Sequence, residues 1–231
     1  MNRKNDIEAL LSRADKTEQK LFAEYDKSLH DQEISADLRI DIKDFFGNLR
    51  SILDYIAHDI VDAYCPNANP KNNLYFPIRA DQNNFDIEIN KSYPDLPTNK
   101  NSVYIILKDN QPFVRDENKW LSFFNKLNNE NKHERLVPQT RTETKRVTVS
   151  GQGGGSVSWG PGVTFGKGVS VMGVPIDPNT QLPVPNNTVK TEIVTWVDFQ
   201  FEDLNVSAIW LIKESLKNIK KIFSDLQGEL Y

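Results

Sequence analysis

Arg50, Asp54 and His58 recur every four residues in GNLRSILDYIAHDI (47–60), an arginine, a carboxylate and an imidazole spaced for one stripe of a helix. A guanidinium holds phosphate and an imidazole moves protons near neutral pH, whereas a carboxylate between them repels phosphate unless a cation neutralises it. The same spacing also describes i,i+4 pairs on a solvated face, each contributing a few tenths of a kcal/mol. Gly47 stands mid-helix on the side of Asp54, at a cost of roughly 1 kcal/mol relative to alanine. It is expected to let another segment pack closely over the stripe.

The partner that suggests itself is NNENKHERL (128–136), where Lys132, His133 and Arg135 fall within four positions. Residues 115–150 hold eight Lys and Arg against five acids, a local excess of three positive charges in a chain of net charge −4. Such a cluster contacts a polyanion, or closes a helix whose C-terminal dipole favours cations. His133 is the better acid–base candidate, because Lys132 and Arg135 beside it lower an imidazole pKa and supply charge for phosphate.

The elements that must position these residues follow from hydrophobic spacing. Ile7, Leu10, Leu11, Ala14, Leu21 and Tyr25 share one helical face, which predicts a first helix over 5–29. A second begins after Ser35, a good cap, and buries Leu38, Ile42, Phe45, Leu49, Ile52, Leu53, Ile56 and Ile60 before Pro66 stops it. Residues 66–115, rich in Asn, Pro and Asp, read as a long irregular connection with short extended pieces at LYFPI (74–78) and VYIILKD (103–109). Trp120, Phe124 and Leu127 mark a third helix. A fourth, over 204–227, buries Ile209, Ile212, Leu216, Ile219, Phe223 and Leu226.

Between the third and fourth helices the period drops to two. KRVTVSG and TEIVTWVDFQF alternate, and VSW, VTF and VSV triplets punctuated by glycine lie between them, which predicts a glycine-turned β meander. The whole is expected to be α+β, mainly α: a single domain over 1–231, with a helical bundle in 1–140 and 203–231 and a β-rich insertion in 141–202.

Several chemistries are excluded by the residues. Gly162 and Gly166 enclose three residues rather than four, and Gly168 follows Lys167, so no phosphate loop forms; GQGGGS reads as a hairpin tip. No G-x-S-x-G, H-E-x-x-H or C-x-x-C occurs. The lone Cys65 permits no internal disulfide, and no metal or other cofactor is expected. Without an apolar leader or a long apolar span the chain is expected to be cytoplasmic and to have no membrane partner.

NLRSILDYIAHDIV, then NLYFPI, the Gln-Pro element of DNQPF and LNNENKHERLV, in that order, resemble a bacterial family with "LRSALDHLA", "FPI", "QPY" and "DKHR" motifs, similar to the HEPN helical-bundle superfamily. The likeness spans about residues 44–138. It implies a four-helix HEPN-like bundle and an RNA-associated role in a defence or toxin system, as a metal-independent ribonuclease. His133 and His58 would then move protons while Arg50, Lys132 and Arg135 bind phosphate, with a homodimer as the expected assembly. Seven residues separate Arg50 from His58, more than the four to six of active HEPN ribonucleases. The alternative is a non-catalytic interaction module. In it Asn48, Asp54 and Asn131 join Arg50 in a structural polar network, and the β insertion meets a partner.

Overall fold

The computed structural model describes residues 2–31, 34–133, 136–151, 153–160, 163–202 and 204–231. The fold is α+β with helix dominant, and the chain divides into two compact units, 1–140 with 200–231, and 141–199.

The first unit is built on four long helices: α1 (Lys4–Asp31), α2 (Ala36–Tyr64), α6 (Lys119–His133) and α7 (Ala208–Leu230). Helix α1 packs on α2 and α7, and α2 and α6 pack on each other and on α7. The Ser35 hydroxyl accepts the Leu38 N–H at 3.1 Å and so starts α2 where a cap belongs. Every apolar position of α2 named from spacing is buried. Aromatic rings close the core: Phe46 meets Phe45, Phe124 and Phe201, and Trp120 meets Phe124 edge-on. Helix α7 starts later than its spacing predicts, after the short strand β7 (Val206–Ser207), and buries Ala208 and Leu211 while Ile209 is half-exposed.

Residues 66–115 differ from the expected irregular connection. They fold into α3 (Gln82–Ser92), α4 (Leu96–Asn99) and α5 (Asn101–Asp109), followed by a 3₁₀ turn over Asp116–Asn118. VYIILKD is therefore helix, not an extended piece. Its β-branched run buries Val103 and Leu107, four residues apart, so packing overrides strand propensity. Helix α3 is capped by Asp81, whose carboxylate accepts the Asn84 N–H at 2.9 Å, and buries only Phe85, Ile89 and Ser92.

LYFPI is neither helix nor strand, and it pairs with no strand among the described residues. Phe76 and Ile78 point into the core while Tyr75 is exposed, and Pro77, which has no N–H, interrupts any ladder. This segment is called the strap below.

The second unit holds most of the β structure. Strand β1 (Gln139–Gly151) turns through the glycine run into β2 (Ser156–Trp159), with Ser150 opposite Ser156 and Val147 opposite Trp159. Strand β3 (Ser170–Val171) pairs antiparallel with β4 (Val174–Asp177), and β4 with β5 (Leu182–Pro183). Met172 and Gly173 turn β3 into β4 with φ of 51° and 79°, the left-handed pair a tight hairpin needs. With β6 (Val189–Phe201), the larger sheet runs β2-β1-β6-β7. Val147, Val149, Trp159 and Ile176 form the unit's core, joined by Phe165 and Leu182. The VTF triplet is not a strand. Where the chain returns to the helices, the Glu202 N–H donates to the Pro138 carbonyl at 3.1 Å.

Candidate functional site

Arg50 is only 9% exposed, although it belongs to a polar stripe. Its Nε–H donates to the Asp54 carboxylate at 3.2 Å, Nη1 to the Asn125 amide oxygen at 3.3 Å, and Nη2 to the Phe76 carbonyl at 3.5 Å. Asp54 in turn accepts the Phe76 N–H at 3.0 Å. Both backbone groups of Phe76, which a sheet would otherwise satisfy, are thus taken by one ion pair on α2. The guanidinium also lies 5.7 Å from the centre of the Tyr75 ring.

The rest of the strap is held in the same way. Gln111, fully buried, accepts the Arg79 N–H at 3.0 Å and donates to the Pro77 carbonyl at 2.8 Å and the Leu107 carbonyl at 2.9 Å. Asn118 donates to the Gln111 and Asp109 carbonyls at 3.0 and 2.7 Å, which holds the Gln111 backbone in turn. The Tyr93 hydroxyl donates to the Tyr75 carbonyl at 2.7 Å. Burial, then the Asp54 and Glu88 charges, hold that phenol well above its ordinary pKa, so it remains a donor. The Arg79 side chain closes the strap's far end, with Nη2 donating to Glu88 at 2.5 Å.

The other residues singled out by sequence lie elsewhere or beyond description. His58 is half-buried in a separate cavity of about 420 Å³, with Val61, Cys65, Leu74 and Ser92 on its walls. The middle of α2 does meet α6, through Arg50 and Asn125. The backbone of α6 continues helical to His133, but the side chains of Asn131, Lys132 and His133 lie outside the described residues, as does Arg135 altogether. Asn48 is no member of the Arg50 network: it lines a cleft with Gly47 and Asn128. At Gly47 a Cβ would meet no described atom within 4 Å, and the segment expected over it, 128–136, lies partly outside the described residues.

Gln111 is the member that spacing could not reveal, since it reaches residues 32 and 34 positions away. Its one sequence signal is the Gln-Pro element itself. Among the described residues no three His, Cys, Asp or Glu gather to hold a metal ion, and no helix is long and apolar enough to cross a membrane. No family model, curated protein or solved structure matches the chain.

Proposed function

We propose that this chain is a non-catalytic interaction module on a HEPN-like four-helix body, in which the β-rich unit receives a protein partner. The observation that carries this reading is the closure of the Arg50–Asp54–Phe76 network. Each nitrogen of the guanidinium makes a bond within the protein, to Asp54, Asn125 and the strap, and the Asp54 carboxylate is shared between Arg50 and Phe76, so the nearly buried pair serves to hold the strap rather than to present charge to a ligand. The second unit supports the partner half of the reading, because Val157, Val163, Val169, Met172, Val184 and Ile193 are all large, apolar and exposed there.

A second reading, the RNA-associated, metal-independent ribonuclease of a defence or toxin system, is favoured by the approach of α6 to α2, which runs the chain toward Lys132 and His133. Two measurements separate them. Asp54→Ala is expected to lower stability by about 3 kcal/mol, because it strands a buried guanidinium and the Phe76 N–H. Wild type is expected to leave RNA intact. RNA cleavage by wild type that His133→Ala abolishes, with Asp54→Ala costing under about 0.5 kcal/mol, replaces the first reading with the second.

A further inference from the structure

We propose that the cleft between α1, α2 and α6 in the helical unit binds a small sugar phosphate. The cleft encloses about 420 Å³, within the range of small-molecule sites. Gly47 stands in its wall, its φ is not left-handed, and a Cβ there would meet no described atom within 4 Å, so among the described residues neither strain nor crowding accounts for the glycine. A mid-helix glycine kept at a cost in helix stability beside a cleft points to something that occupies the space.

The lining says what kind of molecule fits. Arg13 and Lys43 reach the cleft from α1 and α2, and neither has an ion pair among the described residues. The Asn48 amide likewise has no protein partner there. Two unpaired cations and a free amide donor suit one dianionic phosphate. Opposite in character are the acceptors. Ser51 donates its hydroxyl proton to the Gly47 carbonyl at 3.1 Å and is left with lone pairs. Asn128, only 4% exposed, donates its amide to the Phe124 carbonyl at 3.0 Å and leaves its own oxygen unpartnered at the cleft wall. Asp44 adds a carboxylate. These three accept hydrogen bonds from hydroxyl groups, as a sugar presents. Among the described residues no aromatic ring lines the cleft, so a nucleobase finds no face to stack on.

The full chain titrated with ribose 5-phosphate, followed by amide chemical shifts and calorimetry, tests this. Saturable shifts at Gly47, Asn48 and Asn128 are expected, with weaker binding of inorganic phosphate and of ribose. Arg13→Gln with Lys43→Gln should weaken ribose 5-phosphate binding by at least about tenfold, the loss of a charge-assisted contact. Gly47→Leu should abolish binding without lowering the melting temperature. Absence of saturable shifts at these amides, undiminished binding by the double variant, or inorganic phosphate binding as tightly as the sugar phosphate overturns the proposal. So does an RNA oligonucleotide that saturates the same amides where ribose 5-phosphate does not.

Discussion

Gln111 and Gln181 solve one physical problem in two different units. Each holds a segment that forms no strand of its own. Gln111 takes Arg79 N–H and Pro77 C=O, while Gln181 accepts the Phe165 N–H at 2.7 Å and donates to the Phe165 carbonyl at 3.2 Å, which pins the VTF triplet without a ladder. A primary amide carries a donor and an acceptor side by side and so imitates the edge of a neighbouring strand. The strap's last clamp is ionic and therefore sensitive to pH. Burial raises the Glu88 pKa, but the Ser92 hydroxyl and the Arg79 guanidinium overcome it and hold the carboxyl below its ordinary value. Unfolded glutamate titrates near about 4.3, so the stabilisation is complete above that pH and is lost as pH falls through the lower folded value. Glu88→Gln should melt below wild type at neutral pH, by under about 1 kcal/mol since Arg79 is part-exposed. The gap should close in acid; a gap constant from pH 7 down to about 3 contradicts this clamp.

At the scale of the helix, α2 carries both a core face and the Gly47 opening. Because the Gly47 Cβ position is empty, Gly47→Ala should stabilise the protein by about 1 kcal/mol and raise Tm by about 2–4 °C. A loss of stability in thermal melts would mean that the glycine serves the fold itself. The course of α2 was legible in the sequence because cap, apolar period and terminating Cys-Pro agree along it. The short helices α3 to α5 were not. They bury one to three residues each, too few to set a period, and the β-branched run of α5 speaks for strand until Val103 and Leu107 are seen packed. The site was legible in part: Arg50, Asp54, FPI and Gln-Pro belong to one assembly, yet their distribution between chemistry and structure depends on contacts across 22 to 34 positions. Spacing along one helix says nothing of what backbone arrives opposite it.

Across the helical unit as a whole, remote segments converge on the last turns of α2. Asp59, only 5% exposed, accepts from the Arg3 guanidinium at 2.7 Å and from the Tyr231 hydroxyl at 2.5 Å. Just beyond, Cys65 is 3% exposed, and burial, with the Asp95 charge nearby, pushes its thiol up to about 11. Its reactivity should therefore report the opening of the whole unit. Labelling by a disulfide reagent at pH 8 is expected to be negligible in native buffer and to rise with urea along the loss of helical signal. Rapid labelling of the native protein would show that α2 frays independently.

The hydrogen bond between Glu202 and Pro138 has a consequence for how this chain can change. That bond brings the two ends of the sixty-odd intervening residues together at 3.1 Å, beside Gln139, which accepts from the Tyr25 hydroxyl, and Phe201, which packs on Phe46. Loop-closure entropy grows with the logarithm of length, so whatever is spliced at that seam adds little strain to its host. A graft of another size that keeps Gln139 and Phe201 at the seam is therefore expected to leave the melting of the helices nearly unchanged.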